Sequence, residues 1–450
     1  MFYYNRHMKF RCEECGQTHL KWAGKCQCGA WNSLIEIADV KKNKATLSEP
    51  SIEIYSLNND DDIEIPNRIH TSISEFDRTI GSGIVPGGVI LISGDPGVGK
   101  STLLLQISNS DFGGKKVIYI SGEESVFQIK LRAKRLGINS ASISLSASNN
   151  LEEILALLNK YKNEIQLVII DSIQTISSEN LDGSAGSVGQ IKYCAQKLIE
   201  FAKIENIAVI IVGHVTKEGS IAGPKILEHS VDTVLHFEGE KNYAFRVLRS
   251  IKNRFGPTDE IGIFEINEDG LNQVENPSIV FLNQQQQGAT GSIIFPSLEG
   301  SRLLMIEIQA LVATSFLQMP RRAVIGWDNS RLPMICAVLE KHCKIVFGNK
   351  DVYLTVMGGF KINEPAADLP ILLAILSSYL NVPLPINFVA FGEIGLSGEI
   401  RTPQHTPKRI SESQKLSCKG ILSAELKERN QFVTQLKTVK EVVEWVKNLK

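Results

Sequence analysis

The sequence predicts an α/β protein built on a mostly parallel sheet, with a small cysteine-rich module before it and a second α/β domain after it. Three observations carry that prediction. Short apolar runs alternate with amphipathic stretches through residues 86–266. The glycine loop GDPGVGKST at 94–102 joins one such run to a helical segment, and a fresh alternation begins near residue 290. Strands that are apolar throughout are expected where helices cover both faces of a sheet.

At 450 residues the chain is long enough for two or three compact units. Its 43% hydrophobic and 22% charged residues suit a soluble protein with real cores. A formal net charge of −1 gives no overall attraction for a polyanion, so any nucleic-acid surface must be a local basic patch. The first residues lack the apolar run and cleavage site of a secretory signal, and no stretch approaches the roughly 20 apolar residues of a membrane span. The expectation is a cytoplasmic protein without a membrane partner.

Four of the eight cysteines crowd into CEECGQTHLKWAGKCQCGAW, as Cys12, Cys15, Cys26 and Cys28. Two thiolate pairs across a short loop can close a tetrahedron on Zn2+, and a segment this small needs the metal to fold. A disulfide pair and a metal-free knuckle are the alternatives. The second is raised by the shortened C-x-C spacing of Cys26 and Cys28. With all four positions filled by thiols, no ligand position is open for catalysis. Cys194, Cys336, Cys343 and Cys418 sit in apolar or helical contexts and read as reduced core thiols. Residues 8–36 form the ribbon, and the acidic, aperiodic stretch 37–65 reads as a linker.

Residues 66–275 hold the nucleotide core. GGVILISG is a strand feeding the loop, and STLLLQISN begins the helix behind it. KKVIYISG, IQLVIID and IAVIIVGHV are further strands, while QIKLRAKRLG and LEEILALLNKYK are helical. The loop fits G-x-x-x-x-G-K-[ST] from Gly94 to Ser101 in a strand–loop–helix setting. Amides around Asp95, Pro96, Gly97, Val98 and Gly99 would cradle phosphates at the helix N-terminus, within a loop that runs on to Thr102. Lys100 would neutralise the β and γ oxygens of ATP, and the Ser101 hydroxyl would ligate Mg2+. Asp171, at the tip of its strand, is placed to hold the magnesium shell. In YISGEES, one of Glu123 and Glu124 would orient the attacking water as base.

The P-loop, SGEES, IIDSIQT, GHVTKEG and KNRFGP occur in this order behind a four-cysteine ribbon. The chain closely resembles the bacterial RadA (Sms) DNA repair proteins from about residue 8 to its C-terminus. The resemblance implies a RecA-like ATPase core, a hexameric ring like that of DnaB-type helicases, and action on recombination intermediates. It places Glu123 at the catalytic glutamate position and implies that His214 senses the γ-phosphate. For KNRFG it implies that Lys252 and Arg254 reach a neighbouring subunit's nucleotide as trans-acting fingers. Contact with DNA phosphates and a solvated charge cluster remain the other readings of these two residues. The loops 177–190 and 216–225 correspond to channel loops that grip single-stranded DNA in RecA-like rings. Their composition suggests flexibility, and Lys217 and Lys225 are the best phosphate contacts in them.

The stretch 285–450 resembles the proteolytic domain of Lon, which raises a Ser–Lys peptidase as a second function. The alignment puts Ala366 in the serine position and Pro407 in the lysine position, so nucleophile and base are both missing. A platform for oligomerisation and DNA binding remains, with Arg321, Arg322, Arg331, Lys341, Lys344 and Lys350 as a candidate basic patch or as a charged face with internal ion pairs. The resulting expectation is a DNA-dependent ATPase of recombinational repair. It would translocate on single-stranded DNA, extend branched intermediates and work with a RecA-type recombinase. The alternative is a recombination mediator in which ATP controls only assembly and DNA affinity.

Overall fold

The computed structural model describes residues 9–12, 18–19, 22–26, 28–31, 33–37, 67–214, 226–239, 244–258, 260–274, 278, 286–426 and 430–449. Two units are distinguished, Met1–Ile65 and Pro66–Lys450. In the first, β1 (Lys9–Cys12), β2 (Thr18–His19) and β3 (Leu34–Ile37) form an antiparallel sheet in the order β2-β1-β3.

The second unit opens with α1 (Ser74–Thr79) and β4 (Val89–Gly94). The chain then alternates through α2 (Lys100–Ser108), β5 (Lys116–Ser121), α3 (Val126–Arg135), β6 (Ile143–Ala147), α4 (Leu151–Tyr161), β7 (Ile165–Asp171), α5 (Val188–Glu205) and β8 (Ala208–His214). Four more strands follow, β9 (Thr233–Glu238), β10 (Phe245–Asn253), β11 (Ile261–Asn267) and β12 (Gly270–Gln273). The nine strands form one sheet in the order β12-β11-β10-β9-β4-β8-β7-β5-β6. From β9 to β6 all neighbours are parallel, and β10 to β12 add an antiparallel edge.

The apolar strand runs have a direct cause. Along β4, Ile90 and Ile92 pack on one face with Phe76 and Leu103, while Val89 and Leu91 pack on the other with Leu198 and Phe201. Both faces of the strand are thus removed from water, and alternation of polar residues is lost. The helices start where side chains cap them. Ser125 and Gln128 form a capping box on α3, Asn150 caps α4 and Ser187 caps α5.

Behind this core, β13 (Ser292–Glu299), β14 (Arg302–Thr314), β15 (Arg322–Ile325), β16 (Lys350–Val356), β17 (Phe388–Phe391), β20 (Gly420–Ser423) and β21 (Val433–Gln435) form a seven-stranded sheet. The short pair β18 (Glu393–Ile394) and β19 (Ile400–Arg401) lies between β17 and β20 in the chain. The helix Asp368–Leu380 is buried along nearly its whole length against this sheet. Ile261 and Ile263 of β11 belong to the same core as Phe295, Ile306 and Leu372. The two domains read separately from the sequence therefore pack as one unit. Buried Glu75 of α1 reinforces the junction by accepting from Ile263 N at 2.8 Å and from the Arg302 guanidinium at 2.9 Å.

Candidate active site

The P-loop leaves β4 at Gly94 and enters α2 at Lys100. Gly94 has φ +149, and a Cβ there would lie 2.1 Å from the Phe237 carbonyl oxygen, so no larger residue fits beside β9. Gly99 caps α2 with φ +115, and no side chain caps the helix. Its first-turn amides thus face the loop as an anion cradle. The loop crest Asp95–Gly97 is exposed, Ser101 and Thr102 are half-buried, and Lys100 is only 4% exposed. The Lys100 ammonium donates to Gly94 O at 2.7 Å and Asp95 O at 3.0 Å. Burial lowers its pKa, and the carboxylates of Asp171, Asp95 and Glu123 act in the opposite sense.

Asp171 ends β7 beside this lysine and is 5% exposed. It accepts a 2.5 Å hydrogen bond from Tyr119 O–H through Oδ2. Burial drives the Tyr119 pKa well up, and Asp171 adds to that, so Tyr119 is held as a neutral donor. Glu123, just past β5, has its Oε1 at 3.1 Å from His214 Nε2 at the end of β8, and it also accepts from the Ser172 hydroxyl. Glu124 is instead ion-paired with Arg132. Of the two glutamates, Glu123 is the one turned toward the phosphate end of the loop. Lys100, Asp171, Glu123 and His214 are therefore gathered at one edge of the sheet by the ends of four adjacent parallel strands. The donors and carboxylates fit a nucleotide triphosphate with magnesium: Lys100 and the loop amides would hold phosphate oxygens, and Ser101 and Asp171 the metal shell.

Lys252 and Arg254 lie at the other edge. Asn253 is paired with Thr233, the first residue of β9, whereas Phe237 near its end is paired with Gly94. Thr233 and Phe237 are four residues apart along β9, about 13 Å, so neither side chain serves this chain's own P-loop. Lys252 Nζ donates to the carbonyls of Glu228 (2.7 Å) and Val231 (2.9 Å), and burial lowers its pKa. Arg254 pairs at 3.3 Å with Asp232, and its side chain stays 53% exposed. Asp232 is 4% exposed and also accepts from Val89 N at 3.0 Å, so it anchors Arg254 to the start of β4.

Residues 69–278 match the family model described as KaiC ATPase, and residues 10–36 match the rubredoxin metal binding domain. The chain is 47% identical over 438 residues to the DNA repair protein RadA of Brucella abortus, covering 93% of this chain and 91% of that one. It is 47% identical to the RadA of Aquifex aeolicus (91% and 92% covered) and 44% identical to that of Bacillus subtilis (92% and 92% covered). The chain belongs to the RadA family. Among solved structures, the RadB recombinase is similar at 23% identity and a TM-score of 0.37, covering 45% of this chain and 98% of that one. A KaiC-like protein of Pyrococcus horikoshii is similar at 19% identity and a TM-score of 0.39, covering 46% of this chain and 99% of that one.

In the ribbon of this RadA-family chain, the sulfurs of Cys12, Cys26 and Cys28 lie within 4.8 Å of one another. The Cys12 and Cys28 sulfurs are 3.8 Å apart, close to the about 3.8 Å edge of a zinc–thiolate tetrahedron. No disulfide joins these three cysteines. They fit Zn2+, and Cys15 lies outside the described residues. His19 Nε2 stands 3.3 Å from the Cys26 sulfur, a contact the cysteine spacing did not indicate.

Loop 177–190 is tied at its base by one side chain. The side chain of Gln190, 1% exposed, accepts from Ser178 N at 2.9 Å and donates to the carbonyls of Ser178 and Leu181. One buried amide thus gathers a loop whose glycines and serines suggested looseness. Lys217 and Lys225, with the rest of 216–225, lie outside the described residues. Much of the candidate basic patch is tied internally. Arg331 pairs with buried Asp368, Arg322 donates to the carbonyls of Phe347 and Lys350, and Lys350 donates to Thr314.

No helix among the described residues is long and apolar enough to cross a membrane. Ser172, Tyr119 and Asp232 are site residues that sequence reasoning missed. Each is a polar residue in or beside an apolar strand, and only the fold gives it a partner.

Proposed function

We propose that the protein is a DNA-dependent ATPase of recombinational DNA repair that works as a ring and translocates on single-stranded DNA to extend branched intermediates. The observation that carries this reading is the separation of the two edges. The P-loop edge gathers Lys100, Asp171, Glu123 and His214, while Arg254 stands by the other end of β9 on an exposed face. An arginine so placed is out of reach of this chain's own P-loop and exposed enough to reach another subunit's site. Glu123 takes the proton of the attacking water and His214 reads the γ-phosphate, while Lys100 would neutralise the phosphate oxygens and Asp171 would hold the magnesium that screens their charge. Arg254 of one subunit then stabilises the transition-state charge in the next, with Lys252 bracing the turn at Glu228–Val231 beside it.

Strand displacement on a forked substrate tests the motor. Unwinding that requires ATP hydrolysis is expected from the wild type. Binding to the fork without unwinding would favour a recombination mediator whose ATP controls only assembly and DNA affinity. A RecA-type recombinase is the partner this function calls for.

A further inference from the structure

The side chain that holds Glu123 in place comes from an unexpected neighbour. Ser172 follows Asp171, is fully buried at 0% exposure, and donates its hydroxyl to Glu123 Oε1 at 2.5 Å. His214 Nε2 reaches the same oxygen at 3.1 Å. A carboxylate only accepts, so His214 carries its proton on Nε2 in this contact. Its Nδ1 is buried with no partner among the described residues, and nothing there competes for the tautomer. Among the described residues no group bonds Glu123 Oε2.

We infer that Ser172 is a positioning residue for hydrolysis: with His214 it grips one oxygen of Glu123 and turns the other toward the attacking water. This rests on the reading of Glu123 as the base. Two donors on one oxygen fix the carboxylate's rotation while leaving the second oxygen's lone pairs to accept a proton, which is what a general base must offer. The grip is itself braced. Thr175 Oγ1 donates to Ser172 O at 2.8 Å, and Gln174 Nε2 donates to His214 O at 3.1 Å. The turn after β7 therefore sets both the serine and the histidine that hold the glutamate. His214 alone would leave the carboxylate free to swing, since the Glu123 side chain is 40% exposed.

The test is Ser172→Ala, which removes only the hydroxyl from a buried site. The full-length protein should keep its melting temperature and its affinity for a non-hydrolysable ATP analogue, while kcat for ATP falls on the order of 10-fold or more. Ser172→Thr, which keeps the hydroxyl, should recover most of that loss. In a Glu123→Gln background, Ser172→Ala should add nothing, because the group it positions is gone. Wild-type kcat in folded Ser172→Ala would overturn the assignment, as would a loss of nucleotide affinity in step with kcat or an equal loss in the Glu123→Gln background. Lys100→Ala run alongside separates the two levels of the argument. Normal turnover in Lys100→Ala would remove the active site itself, whereas an inactive Lys100→Ala with an unimpaired Ser172→Ala would remove only the role of Ser172.

Discussion

Lys100, Asp171, Glu123 and His214 meet at one edge of the nine-stranded sheet with carboxylate oxygens left open, whereas the charged groups of the C-terminal domain close on one another. There Arg409, 1% exposed, pairs with Glu364, donates to the Pro296 carbonyl and lies over the Phe295 ring. Arg331 and Asp368 form a second such pair. Both regions bury charge, but the Arg409 and Arg331 pairs are closed, whereas Glu123 keeps an oxygen that no group among the described residues bonds. The lesson is that a buried charge marks chemistry when its partners are incomplete, and marks architecture when they are complete. The positions that resemble the Lon dyad fall on the architectural side. Ala366 is 2% exposed in the turn before Asp368–Leu380, and Pro407 sits in the first turn of the helix Thr406–Lys415, where its fixed φ suits a helix start.

The contrast can be broken from either side. The largest effect is expected from Lys100→Ala, which should abolish ATP hydrolysis with the circular dichroism spectrum unchanged, because it removes charge from the transition state and not a core contact. Turnover near the wild-type level would show that the open edge is not catalytic. On the architectural side, Arg409→Met should leave Glu364 without its buried partner and cost about 3–5 kcal/mol of stability, read from urea unfolding. A change below 1 kcal/mol would mean that the pair is dispensable. Cys28→Ser should release a metal ion that elemental analysis finds at about one zinc per chain in wild-type protein purified without chelator. A metal-free wild type would show that the C-x-C knuckle no longer binds. The smallest effect belongs to Ala366→Ser. It should create no peptidase activity on a fluorogenic peptide, since the position is buried and Pro407 offers no amine.

How much of this could be read from residues alone depended on the range of the interactions. The strands were legible because burial on both faces writes an unbroken apolar run, as in Leu167–Ile170. The P-loop was legible because phosphate binding fixes glycine, lysine and serine at set spacings over nine residues, 94–102. What escaped was long-range and singular. Ser172 meets Glu123 across 49 residues, and Tyr119 meets Asp171 across 52. The shared core that joins β11 to the C-terminal domain was hidden for the same reason, since Ile261 and Ile263 look like any strand residues. Gln190 is another such case, since its buried amide meets Ser178 and Leu181 and nothing in the loop's composition indicates that contact.

The central claim, that hydrolysis needs groups from two subunits, is tested most directly through Arg254. Arg254→Ala should bind nucleotide almost normally and hydrolyse it on the order of 10³-fold more slowly without DNA. Mixing it with Lys100→Ala should restore part of the activity, because some interfaces then combine an intact P-loop with an intact arginine. Full DNA-free ATPase activity in Arg254→Ala alone, with only DNA affinity reduced, would contradict the account and make Arg254 a phosphate contact.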